Sequence, residues 1–107
     1  MLTVMKFGGS SVADLEHIQN VARRCIAKQK AGSQVVVVLS AMGKTTDNLI
    51  ATAKQITETP SRREMDMLLS TGEQVSVALM AMTLIQMGVS AISLNALQVP
   101  MHTTSDY

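Results

Sequence analysis

Aromatic residues are nearly absent from this chain: it has one Phe, one Tyr and no Trp. Its core must therefore be aliphatic, with methionine as filler. A single cysteine, Cys25, excludes an internal disulfide. Charge of neither sign dominates, since nine Lys and Arg face eight Asp and Glu for a net charge of +1. That balance lacks the basic footprint of a nucleic-acid binder. The longest run of strongly aliphatic residues is Val35 to Leu39, far short of the roughly 20 residues that span a bilayer. The start, Met1 to Lys6, has no basic segment followed by a signal-like apolar run. Together these absences predict a cytoplasmic protein with neither a membrane nor a nucleic acid as partner.

What is present suits a packed domain. Hydrophobic residues make up 47% of the 107 and charged residues 16%, a balance that excludes a disordered tail. Nine methionines could form a partner-binding surface, but Met65, Met80, Met82 and Met87 fall in helix-like stretches and read as packing.

The pattern alternates between strands and helices. Thr3 to Phe7 reads as a strand ending in Gly8-Gly9, with Ser10 and Ser11 as helix N-caps. Leu15, Ile18, Ala22, Cys25 and Ile26 then recur at helical spacing, and Gly32 stops the helix. Gln34 to Leu39 carries four consecutive valines without polar alternation, which predicts a strand covered on both faces. A helix is expected over Asp47 to Ile56, capped by Thr46 or Asp47. Ser61 and Glu64 have capping-box spacing and open a third. Thr71-Gly72 is expected to break or bend it, leaving Glu73 to Met87 as a further helical stretch. Val89 to Leu94 reads as a strand, and Asn95 to Tyr107 as a polar, irregular tail. This order predicts an α/β fold with a mainly parallel sheet.

Ligands of open α/β sheets bind at the carboxyl ends of the strands, and three polar clusters fall there. In Lys6-Phe7-Gly8-Gly9-Ser10-Ser11, two glycines let backbone N–H groups approach a phosphate, and Lys6 adds a full charge. A tight turn beside a surface lysine accounts for the same residues equally well. The second cluster, Ser40 to Thr46, is a small, polar loop in which Ser40 can hold a ligand group. Capping alone explains Thr46 and Asp47, and Lys44 is most simply solvated. The third is Ser70-Thr71-Gly72-Glu73-Gln74. A helix dipole favours a carboxylate at a helix start, which is the simpler account of Glu73; receiving a cationic ammonium is the functional one. His17 lies off the apolar helix face, His102 sits in the polar tail, and Cys25 falls on the apolar face as core. No spacing of His, Cys and carboxylates forms a metal cage, and no Ser/His/Asp arrangement emerges.

The three clusters together resemble the aspartate kinases. Lys6-Phe7-Gly8-Gly9-Ser10-Ser11-Val12 resembles the opening motif of that family, with Ser10 where Thr is common. Val37 to Asp47 resembles its second loop, and Arg63 to Gln74 its third. The resemblance implies the amino-acid kinase fold, a three-layer αβα sandwich with a mainly parallel sheet, here incomplete. It implies transfer of the ATP γ-phosphoryl group to the β-carboxylate of L-aspartate, giving 4-phospho-L-aspartate on the route to lysine, threonine and methionine. By the same resemblance Lys6 is the catalytic cation, and Lys6, Phe7, Gly8, Gly9 and Ser10 bind ATP. Ser40, Thr46 and Glu73 hold aspartate, with Glu73 near its amino group. ATP with Mg²⁺ is the implied co-substrate, with no protein-bound metal, and the full-length parent is implied to be a homo-oligomer.

Residues 1–107 then read as the N-terminal part of a truncated kinase domain, without a regulatory ACT domain and inactive by itself. Two alternatives stand beside this reading. One is a non-catalytic remnant or split-enzyme subunit that binds anions or a complementary chain. The other is an amino-acid kinase for a different carboxylate, which the wording around Ser40 and Glu73 disfavours.

Overall fold

The computed structural model describes residues 1–94. The polar tail read over Asn95 to Tyr107, His102 included, lies outside the described residues. Strand β1 spans Leu2–Phe7 and β2 spans Gln34–Leu39. They pair in parallel, with Lys6 opposite Val38 and Phe7 opposite Leu39. Between them run a short 3-10 turn over Gly9–Val12 and helix α1, Leu15–Lys30. After β2 come α2, Thr45–Ile56, and α3, Arg62–Gln86.

Period-two alternation sorts the strand residues. Phe7 and Leu39 are buried and Met5, Val35 and Val37 half-buried on one face, against α1 and α3. Leu2, Val4, Val36 and Val38 are exposed on the other. The expectation that β2 is covered on both faces is thus met on one face only among the described residues. The core joins Phe7, Val12, Ile18, Val21, Ala22, Cys25, Leu39 and Met80. Met80 is the methionine that fills it, whereas Met82 is exposed.

Several local expectations are corrected. Ser10 and Ser11 lie inside the 3-10 turn, and Asp14 caps α1, its carboxylate accepting the His17 N–H at 2.9 Å. Neither Thr46 nor Asp47 caps α2; both sit within its first turn, and Lys44 occupies the cap position without a side-chain hydrogen bond. Ser61 does cap α3, accepting the Glu64 N–H. Gly72 does not break that helix, which runs unbroken for 25 residues. Val89 to Leu94 forms no strand.

By length and composition α3 is apolar enough to cross a membrane, with a mean hydropathy of 1.4 over its most apolar stretch. The run Val35 to Leu39 gives no hint of this. Here α3 packs against α1, α2 and β2.

Candidate functional site

Two glycines that end β1 behave differently. Gly8 has φ −82° and ψ 178°, open to any residue, and a Cβ there would meet nothing within 4 Å. Neither conformation nor internal packing demands glycine at this position; the space beside it is free for a ligand. Gly9 is constrained by the chain itself. A Cβ on it would lie 2.9 Å from the Ala41 carbonyl oxygen and 3.2 Å from that of Gly43, so its backbone must lie bare against the second loop.

Hydrogen bonds tie these loops together. Ser40 donates its N–H to the Phe7 carbonyl at 3.1 Å, and Gly43 donates to the Gly9 carbonyl at 3.0 Å. Gly43 takes φ +47°, a left-handed conformation suited to glycine. On the far side of the loop stands α3. A Cβ on Gly72 would lie 2.8 Å from the Ala41 Cβ and 3.2 Å from the Thr45 methyl. Ala41, 3% exposed, therefore touches the first cluster with its carbonyl and the third with its side chain. The three clusters converge on one loop at the carboxyl ends of β1 and β2.

Each sequence-predicted residue can now be placed. Lys6 is exposed, on the sheet face away from α1 and α3, and its ammonium makes no ion pair or hydrogen bond among the described residues. Phe7 is buried at the end of β1. Gly8 and Ser10 are exposed. Ser40 and Thr46 are half-buried and flank Ala41 and Thr45, the two residues nearest to Gly72. Glu73 follows Gly72 in the middle of α3, exposed, at the wall of an apolar cavity of about 1130 Å³ between β2, α1, α3 and residues 89–94.

This mid-helix position corrects the dipole account of Glu73. The dipole acts within the first and last turns, and Glu73 is in neither. Lys6 and Glu73 are not joined by any ion pair.

Ala41 and Gly72 were missed as site residues because they carry no chemistry. Their signal was the lone glycine inside a helical pattern, which costs helix stability unless a neighbour requires it. His17 is exposed and paired with Asp14. Cys25 is buried in the core, and burial pushes its thiol pKa up, away from the reactive thiolate.

A model of the amino acid kinase family matches residues 1–106. The chain belongs to the amino acid kinase family. Among members of this family it is 60% identical to an aspartokinase of Geobacillus stearothermophilus over 97 residues, 91% of this chain and 24% of that protein. It is 54% identical to aspartokinase 2 of Bacillus subtilis, over 95% of this chain and 25% of that one. The crystal structure of the aspartate kinase from Synechocystis superposes with a TM-score of 0.86 at 55% identity, covering 88% of this chain and 16% of that chain. The fold is thus the amino-acid kinase α/β fold, and the chain spans about a quarter of the length of the curated relatives it matches.

Proposed function

We propose that this chain is the N-terminal segment of an aspartate kinase, the part that supplies the phosphate-binding turn and aspartate-side contacts of a longer enzyme. The observation that carries the reading is the convergence of its three polar clusters through Gly9, Ala41 and Gly72. Phosphoryl transfer asks for positioning and charge neutralisation, with no covalent nucleophile. Lys6, Gly8, Gly9 and Ser10 supply backbone donors and a cation at one strand end, with Phe7 fixing the turn behind them. Lys6 steadies the charge that develops on the transferring phosphoryl group. Ser40, Thr46 and Glu73 hold aspartate, and Glu73 receives its ammonium group. The product is 4-phospho-L-aspartate, feeding lysine, threonine and methionine synthesis.

Among the described residues no group of three or more His, Cys, Asp or Glu side chains is placed to hold a metal. Mg²⁺ in this proposal is carried on the ATP phosphates, coordinated largely by phosphate and water oxygens. The assembly we propose is a cytoplasmic homo-oligomer with no membrane or nucleic-acid partner. Residues 1–107 alone are proposed to be inactive as a truncated kinase domain, since three quarters of the relatives' length lies outside the match.

The test is ATP turnover by the whole enzyme carrying this segment, with Mg²⁺ and L-aspartate. Acyl phosphate trapped by hydroxylamine as the hydroxamate reports the product. Turnover with another carboxylate but not aspartate would reject the substrate assignment. Clear turnover by residues 1–107 alone would reject the proposed inactivity.

A further inference from the structure

We infer that Arg24 is a positioning residue for ATP, acting through the ring of Phe7 on the Gly8-Gly9 turn; the inference rests on the aspartate kinase reading above. Arg24 projects from α1 beside the buried Cys25, and its guanidinium carbon lies 5.1 Å from the centroid of the Phe7 ring. The neighbouring Arg23 is engaged elsewhere, donating to the Asn20 side chain at 2.9 Å. Arg24 has no hydrogen bond or ion pair among the described residues, where the ion pairs are Asp14 with His17 and Arg63 with Glu64. A surface arginine without an acidic partner ordinarily extends into water. This one lies over the chain's one phenyl ring, a contact in which the ring face attracts the cation.

Phe7 is the residue on which such a contact has the most leverage. It is 6% exposed, so any shift of its ring is passed on to the end of β1. Its carbonyl accepts the Ser40 N–H at 3.1 Å. The next residue, Gly8, accepts the Ser11 N–H at 3.1 Å to close the 3-10 turn. The peptide after Phe7 therefore sets where the backbone N–H groups of the turn point. Phosphate binding by such groups depends on their direction, and preorganised donors act without the cost of being reoriented. Arg24 fixes the ring, the ring fixes the end of β1, and the end of β1 aims the turn. Ser40 is linked only by one hydrogen bond, so the effect falls chiefly on the nucleotide.

The experiment uses the whole enzyme that carries this segment. Arg24→Met keeps the aliphatic stem and removes the cation; Arg24→Lys keeps a cation over the ring. The expected result for Arg24→Met is an apparent KM for ATP raised roughly two- to fivefold, the range of a partly exposed cation–ring contact. The KM for aspartate stays at the wild-type value, and Arg24→Lys recovers most of the ATP effect. In a Phe7→Leu background Arg24→Met has no further effect on the KM for ATP. An unchanged KM for ATP overturns the inference. So do equal rises for both substrates, failure of lysine to rescue, or an undiminished effect in the Phe7→Leu background. If Arg24→Met does not fold, Arg24→Gln takes its place under the same criteria. Absence of aspartate-dependent turnover in the wild type defeats the kinase reading; equilibrium binding of a non-hydrolysable ATP analogue to the same variants still decides the role of Arg24.

Discussion

Gly72 in the middle of α3 sits against Ala41 so closely that a Cβ on the glycine would lie 2.8 Å from the alanine Cβ. Helix propensity alone favours Gly72→Ala, by about 0.5–1 kcal/mol. The contact says otherwise, because Ala41 is buried between Gly9 and α3 and cannot withdraw. Overpacking of this kind costs about 1–3 kcal/mol. Gly72→Ala is therefore expected to lower the urea midpoint with the slope unchanged. Adding Ala41→Gly should recover part of the loss. A Gly72→Ala variant more stable than wild type would mean that α3 does not press on the loop.

The adjacent glycines of the first turn should separate folding from ligand approach. Gly9→Ala forces a methyl toward two backbone carbonyls and is expected to cost about 1–3 kcal/mol of stability. Gly8→Ala meets no atom and keeps an ordinary φ. It should leave stability unchanged or raise it by about 0.4–1 kcal/mol through the unfolded chain. Its penalty should appear as weaker ATP binding, read by calorimetric titration of the whole enzyme. Unimpaired ATP binding by Gly8→Ala would leave the open space beside Gly8 without a purpose.

Much of this arrangement was legible in the sequence. β1, α1 and β2 follow from periodicity and composition, and Ser61 with Glu64 marks the start of α3. The wording of three loops gave the family. Tertiary contact decided the rest. Gly72 looks like a helix breaker by local propensity, yet it is the residue that lets α3 pass Ala41 and Thr45. Val89 to Leu94 has the composition of a strand, but a strand also needs a ladder partner, and none pairs with it among the described residues. The valine run of β2 reads as doubly covered because its composition records a buried face that the described helices leave open.

Lys6 is exposed and unpaired among the described residues, so Lys6→Ala should barely alter stability. If it steadies charge on the transferring phosphoryl group, kcat falls by roughly 10²–10³, the worth of one such donor. The KM for aspartate should change far less. Near-normal turnover in steady-state kinetics would return Lys6 to the role of a solvated surface cation.

Glu73 offers a sharper separation, because its mid-helix position removes the dipole as an explanation. Glu73→Gln is expected to move stability by less than about 0.5 kcal/mol, as at other exposed positions. Loss of a charge-assisted contact worth about 1.5–3 kcal/mol should raise the KM for aspartate roughly ten- to a hundredfold. The KM for ATP should hold. An unaltered aspartate KM would leave Ser40 and Thr46 as the substrate contacts.

The cap of α1 makes a prediction about pH. Asp14 accepts both the His17 backbone N–H, at 2.9 Å, and the His17 ring Nδ1, at 2.6 Å. The side-chain hydrogen bond from His17 is the main reason the Asp14 pKa lies below its ordinary 3.8. The same bond is the main reason the His17 pKa lies above its ordinary 6.5. A carboxylate with a lowered pKa stabilises the fold above its unfolded value and loses that contribution as pH falls through the folded one. A histidine with a raised pKa stabilises below its unfolded value and loses that contribution as pH rises through the folded one. The pair should therefore help most between about 3.8 and 6.5. His17→Gln should flatten the loss above 6.5, and Asp14→Ala should remove both arms together with the cap. Both groups are well exposed, so added salt should shrink the effect. NMR titration of the His17 ring decides it, with His17→Gln used to assign the signal. A midpoint at or below 6.5 in dilute buffer would show that the ring does not hold its bond to Asp14 in solution.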